Sequence, residues 1–406
     1  MDTKYLKDPP ARIFTATPED KTLEIGIIGA GIAGLAAAAG LLRSGHQVEI
    51  FERSSFANEV GAAICVCPNA SRVLRYWGFD TAKAKTMCYC QGQIYAGDTL
   101  DVKYYGDYSH WPNKYGADAY FIHRVDLHSG LKDLAINAGP EYESAKINLT
   151  SEVVDLDCET GTITLVDGSS FRKDLVVVAD GVHSRFVQNV TGHDTPAIAT
   201  GHSAFRFMIP TVKLTESEIL KPLFSDVPSG LSIATLGDRR LVWYPCRSGD
   251  LYNFAGIHAE EAGRTYDEEW NVTASLDTLL RTYGNFNPAI VEICRNAEDL
   301  KLWKLLFRTP LPTWTKDKVV LIGDAAHPML PHQSQGAGQG IEDGAAIGAL
   351  LSHIKSINEI PRRLRLFEEV RRNRASAIQI FSNVGQDEAT KIDEAACPFI
   401  KGHIPL

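Results

Sequence analysis

The sequence predicts an α/β fold: a parallel sheet with an attached β-meander, interrupted by a smaller mixed-sheet domain and closed by C-terminal helices. Three observations lead there. Residues 23–28 form a short apolar run bounded by Gly29, residues 32–43 an alanine-rich helical stretch capped by Gly45, and residues 47–51 a second strand. That strand–helix–strand order is a βαβ unit, and βαβ units build parallel sheets. Two further buried runs, 175–179 and 319–322, each end on an aspartate beside a glycine. Residues 200–258 differ: short strands at 203–209, 231–236, 240–244 and 252–257 are broken by Pro, Gly and Asp, the pattern of an inserted antiparallel sheet.

The remaining elements follow in order. A helix is expected over 68–77, alternating strands between 91 and 105, and a helix over 125–138. Residues 153–156 and 162–166, joined to the run at 175–179 through the Asp167-Gly168 turn, read as the meander. Helical patterns are expected near 267–300, then at 338–354 and 361–384. The implied division is a polar leader (1–22), a discontinuous nucleotide domain (23–85, 121–195 and 301–390), a sheet domain (86–120 and 196–300) and a tail (391–406).

Composition narrows the function. The 406 residues are 44% hydrophobic and 22% charged, which is ordinary for a globular protein. With 41 basic against 50 acidic residues the net charge is −9, so the positive footprint of a nucleic-acid or anionic-membrane binder is missing. No apolar run approaches the ~18 residues of a membrane span, and the first 20 residues mix charge and proline in place of a signal's apolar core. The expected location is the cytoplasm. The eight cysteines include the Cys-x-Cys pairs Cys65/Cys67 and Cys88/Cys90 but no zinc-type spacing; they read as reduced thiols, with no metal.

Gly29-Ala-Gly31-Ile-Ala33-Gly34 joins the first strand to the first helix. The first glycine allows the tight turn, the second lets a pyrophosphate approach the backbone, and the third lets helix pack on strand. The helix start offers free N–H groups to phosphate. Glu52 ends the second strand about 20 residues on, where an acid accepts hydrogen bonds from a ribose. This Rossmann-like signal does not separate NAD from FAD. Asp324, after the run 319–322, can hold a ribose or ribityl hydroxyl, and the glycine-rich helix start Gly336-Ala337-Gly338 can face a phosphate or flavin edge. Asp180-Gly181 repeats the strand-then-acid pattern.

That ordered set resembles the single-component FAD-dependent aromatic hydroxylases, the group that includes para-hydroxybenzoate and salicylate hydroxylases. The resemblance rests on the glycine motif with Glu52-Arg53, Asp180-Gly181, and Gly323-Asp324-Ala-Ala-His327-Pro328. Gly61-Ala62-Ala-Ile, His123-Arg124-Val-Asp126-Leu127 and Gln335-Gly-Ala-Gly-Gln339-Gly-Ile-Glu342-Asp343 agree with it, over about residues 23–385. It implies a glutathione-reductase-type FAD domain. Gly29, Gly31, Ala33 and Gly34 would hold the pyrophosphate, Glu52 and Arg53 the adenosine end, and Gly61 and Ala62 would belong to the same site. Arg124 would reach the pyrophosphate or ribityl chain, Asp324 a ribityl hydroxyl, and the backbone from Pro331 to Gly338 the isoalloxazine. Asp180 and Gly181 would serve FAD and a visiting NADPH or NADH; Val187 stands where the family often has Arg, which leaves the nicotinamide choice open.

The implied activity is hydroxylation of a small, phenolic aromatic with NAD(P)H and O2 through a flavin C4a-hydroperoxide, with decarboxylation if the enzyme follows salicylate hydroxylase. Arg206 and Tyr244, on strands of the inserted sheet, are the expected catalytic residues: a cation or hydroxyl beside a phenol oxygen favours the phenolate. His327 reads as structural, and His332 and Gln333 as substrate-facing. Two other readings stand beside this one: epoxidation or oxidation of a larger natural product, and a non-catalytic dinucleotide-fold binder of the GDI type. A homodimer is the oligomer to test.

Overall fold

The computed structural model describes residues 17, 19–56, 62–137, 143–225, 228–260, 271–383, 396, 398 and 399. Gly61, most of the leader and most of the tail lie outside the described residues. A six-stranded sheet forms the first layer, in the order Thr315–Lys316, Val319–Leu321, Leu175–Val178, Glu24–Ile28, Gln47–Phe51, Lys146–Asn148. All neighbours are parallel except the Thr315–Lys316 edge. Leu175–Val178 and Val319–Leu321 are buried at every position, as expected for parallel strands covered on both faces.

The helix Ile32–Arg43 packs on this sheet, and Gly336–Leu351 crosses that helix at very close range. A Cβ on Gly344 would lie 2.5 Å from the Ala36 backbone, and one on Gly40 would lie 2.2 Å from the Gly344 carbonyl. The alanine and glycine content of both segments is thus a packing requirement: only small residues let two backbones touch. The contact brings the first and last thirds of the chain together, which is where a ligand spanning both must lie.

The meander is Val153–Asp157, Thr162–Leu165 and Ser170–Arg172. Its third strand is Ser170–Arg172; the apolar run expected in that place, Leu175–Val178, joins the parallel sheet instead. An apolar strand buried on both faces is worth more in a central position than at the end of a surface meander.

The inserted domain is an eight-stranded sheet: Asn271–Thr273, Glu298–Phe307, Ile198–Pro210, Leu251–Ala259, Arg239–Cys246, Gly230–Leu236, Gln91–Ala96, Val102–Asp107. The expected helical stretch near 267–300 resolves into the short strand Asn271–Thr273, two helices (Leu276–Tyr283 and Pro288–Arg295) and the start of Glu298–Phe307. That last strand runs past residue 300, so this sheet extends into the segment assigned to the nucleotide domain. Its helical composition yields to pairing with Ile198–Pro210. One face of the sheet packs against the two helices through Phe205, Phe207, Leu241, Trp243, Phe254 and Tyr283. The other faces the first domain. A small sheet of Ala63–Val66, Tyr120–His123 and Met87–Cys88, which sequence periodicity did not reveal, lies at that junction. No described helix is long and apolar enough to cross a membrane.

Candidate active site

The strand Glu24–Ile28 turns at Gly29, whose φ of +97° suits glycine, and Gly31 precedes the helix without a capping side chain. Gly34 must be glycine: a Cβ there would sit 2.0 Å from the Gly29 carbonyl. At Gly31 nothing lies within 4 Å of the equivalent point, so a ligand can reach the helix start. Ala33 points instead to the second helix, where a Cβ on Gly340 would meet it at 3.0 Å. Glu52 accepts from the Ala30 N–H (2.7 Å) and the Ser54 N–H (2.8 Å), which fixes the turn and leaves lone pairs for a ribose. Arg53 is exposed at the rim.

Gly29, Gly31, Glu52, Arg53, Arg124, Asp180, Gly181, Asp324 and Pro331 line one cleft of about 810 Å³, with Arg206 and Trp303 at its far side. Its middle holds groups the protein does not satisfy. Asp180 Oδ1 is buried without a hydrogen-bond partner, and burial raises its pKa against the opposing pull of Ser184 and Arg53. Asp324 opens onto the cleft, yet the protein packed around it raises its pKa despite His327, Arg124 and Arg308. No side-chain hydrogen bond is made by Asp324 or Arg124 among the described residues.

Arg308, which sequence reasoning passed over, lies beneath both acids. Its guanidinium donates to the carbonyls of Thr195 (2.7 Å), Ala325 (3.0 Å) and Val182 (2.9 Å). It ties the Asp180 loop to the Asp324 loop and adds positive charge behind them. Its only sequence signal is an arginine two residues before a proline, which carries no chemistry.

At the ring end, Pro328 to Pro331 form the cleft wall and the Gly336–Leu351 helix begins just behind. A Cβ on Gly336 would lie 3.9 Å from Asp324 Oδ1, while Gly338 abuts Asn69 and Ala70; neither they nor Ala337 are on the cleft wall itself. Asp343 holds this corner. It accepts from the Gly323 N–H (2.9 Å), His327 Nε2 (2.6 Å) and Arg371 Nε (2.8 Å). Burial pushes its pKa up, but His327 and Arg371 overcome this and hold it down at about 2. His327 is fully buried against Trp314 and positions the loop. Ala62 is also buried, and its carbonyl accepts the Arg124 N–H at 2.7 Å.

The two catalytic candidates part company. Arg206 lies over Trp303 (4.8 Å to the ring centroid), its Nε buried without a partner, and burial followed by Arg124 presses its pKa down. No ion pair neutralises it among the described residues. Tyr244 is off the cleft wall. Its hydroxyl donates to the Ala63 carbonyl at 2.7 Å and its ring stacks on Phe121 at 4.6 Å, which makes it a joint between the domains. His332 is held neutral, its pKa lowered to about 4 by burial, Arg240 and His202.

The residues fit FAD. An open helix start lies at one end of the cleft, a rim arginine beside it, the free Oδ1 of Asp180, the Asp324 carboxyl and Arg124, which makes no side-chain hydrogen bond among the described residues, in the middle, and a backbone wall at the other end. Pyrophosphate, ribityl hydroxyls and a flavin edge are the complements of those groups.

Two family descriptions match the chain: an NAD(P)-binding Rossmann-like domain over residues 27–57 and an FAD binding domain over 287–382. The FAD-dependent monooxygenase phomE' of Diaporthe leptostromiformis is 37% identical over 87% of this chain and 90% of its own length. Hispidin-3-hydroxylase of Neonothopanus nambi is 32% identical over 88% and 87%. The structure of a salicylate hydroxylase substrate complex superposes with a TM-score of 0.75 at 25% identity, covering 94% of each chain. Similarity of that extent, on a cleft shaped for the same cofactor, places this chain in the family of FAD-dependent monooxygenases of the aromatic-hydroxylase type.

Proposed function

We propose that the enzyme uses NADPH or NADH and O2 to hydroxylate a phenolic aromatic held between the Pro328–Pro331 wall and the inserted sheet. The observation that carries this is Arg206: a half-buried arginine, its Nε buried without a partner, lying over Trp303 at the edge of the cleft. A buried cation without a counter-charge is costly, and a phenolate or carboxylate oxygen supplies one. FAD, when bound, supplies the redox chemistry between nicotinamide and oxygen. The chain's own part is to hold it through Gly31, Glu52, Arg124, Asp180 and Asp324, to favour the anionic substrate at Arg206, and to exclude water with the apolar contact of Ala204, Ile257, Leu305 and Leu330. The names of relatives such as hispidin-3-hydroxylase support hydroxylation of an oxygenated ring.

A screen of hydroxybenzoic acids and larger phenols, following NADH and NADPH consumption separately with the product identified by mass, tests the reading. Release of CO2 in the same assay would add decarboxylation. Arg206→Ala should keep FAD bound while product formed per nicotinamide consumed falls at least tenfold. Normal coupling in that variant would refute the assignment.

A further inference from the structure

One stripe on the cleft face of the eight-stranded sheet is only partly covered by the fold: Val242 packs against the cluster of Ala63, Cys65, Phe121 and Tyr244, and its neighbours in the row do not. Strand register sets Arg206, Ala255, Val242, Ile233, Ile94 and Tyr104 side by side across six neighbouring strands. Directly opposed residues share a face, so these six form a single row. The row on one side includes Ala204 and Ile257, packed against Leu305 and Leu330. On the other side Tyr244 stacks on Phe121, and the Tyr108 ring covers Gly92 and Gly106. The first row is therefore a wall at its Arg206 end, and the second is a wall from Tyr244 to Gly106.

The stripe between them is apolar but incompletely buried. Its alternates on the same strands, Phe205, Phe254, Leu241 and Ala234, are 0% exposed on the opposite face. Ala255, Val242, Ile233 and Ile94 are only half-buried, and Tyr104 is 48% exposed. Ile233 and Ile94 belong to none of the buried clusters. The result is a walled apolar trough that starts at Arg206 in the cleft and reaches the surface at Tyr104. From Arg206 to Ile94 it crosses four strand spacings, about 19 Å at ~4.8 Å each.

We propose that the trough seats an apolar extension of the substrate. The preferred substrate is then a planar phenol whose acidic oxygen meets Arg206 and which carries a second ring, or an unsaturated chain, past Ala255 and Val242 towards Ile233. The occupant is the substrate because Arg206 belongs both to the cleft and to the row, and the single methyl of Ala255 leaves room for a flat group beside that arginine. A single-ring phenol would leave Ile233 in water; an extended one covers it. This inference rests on the Arg206 reading above and selects the extended substrate within it.

The test uses the FAD-loaded enzyme and two probes with the same phenol, 4-methylphenol and 4-hydroxystilbene, with binding followed by calorimetry and turnover by product mass. The wild type should bind 4-hydroxystilbene at least tenfold more tightly. Ile233→Trp should remove most of that advantage and change 4-methylphenol binding less than twofold. Val242→Gln, at a half-buried position two strands from Arg206, should act in the same direction and serves if the tryptophan variant loses FAD. Equal wild-type affinities, an unaffected 4-hydroxystilbene in both variants, or equal weakening of both probes would overturn the trough. Arg206→Ala separates the two claims: it should weaken both probes, and if it weakens neither while Ile233→Trp discriminates, the anion reading falls and the trough stands.

Discussion

Two aspartates at the same corner of the molecule live in opposite circumstances. Asp343, behind the loop, is wholly buried and takes hydrogen bonds from Gly323, His327 and Arg371, which hold its pKa at about 2. Asp324, in front of the loop, makes no side-chain hydrogen bond among the described residues and its pKa is raised. The same contrast separates Arg308, which donates to three carbonyls, from Arg206, whose Nε has no partner. Charged groups that the protein satisfies are framework. Those it brings into a cleft and leaves unsatisfied are where a ligand completes the structure.

Removing a framework charge should cost the most. Asp343→Ala strands Arg371 and His327 in the core and should destabilise the fold by about 3–5 kcal/mol, read from denaturant melts, because breaking a buried pair leaves its partner uncompensated. The cleft acid should behave differently. Asp324→Ala should weaken FAD retention about ten- to a hundredfold, the worth of one hydrogen bond to a charged group, and leave the stability of the FAD-free protein unchanged or slightly raised. Loss of apoprotein stability comparable to that of Asp343→Ala would erase the distinction.

A pH test sharpens the framework side. His46 is buried, its Nδ1 accepts the Leu23 N–H at 3.4 Å, and its Nε2 lies 3.1 Å from the Leu351 carbonyl, so the neutral ring is the one bound. Burial lowers its pKa from 6.5 to about 4, outweighing the opposing effect of the Leu351 carbonyl. As pH falls the unfolded chain takes up the proton first, so stability is whole above about 6.5 and is lost between 6.5 and 4. Near pH 5.5 the loss should be about 1.4 kcal/mol, and His46→Gln should abolish that part of the pH dependence. The smallest effect belongs to the interdomain joint. Tyr244→Phe should cost about 1 kcal/mol of stability for the lost bond to Ala63 and change kcat less than twofold. A larger fall in kcat would return Tyr244 to the catalytic residues.

The nucleotide half of the fold was legible because its signals are local. Gly29 and Gly34 are dictated by a turn and a contact within a few residues, and Glu52 by the end of the next strand. The strand Glu298–Phe307 was less legible for the opposite reason: its start falls at the end of a helical pattern, and its partners Ile198–Pro210 and Asn271–Thr273, both distant in the chain, make it a strand. That Ala63 takes up the Tyr244 hydroxyl while the Arg206 Nε has no partner was equally beyond local reading, since both sit on strands with similar apolar neighbours.

Turn chemistry and strand–helix order, set by neighbouring residues, settled the fold class and the dinucleotide site from the chain of letters alone, and the resemblance of the ordered motifs to a known family supplied FAD. Which charges are paired, and which face of the inserted sheet stays open, depended on segments that meet only after folding. Arg308 reaches Val182 across 126 residues and Tyr244 reaches Ala63 across 181. A side chain's chemistry is written at its own position, but whether that chemistry is satisfied or left available depends on partners that only the folded chain assembles.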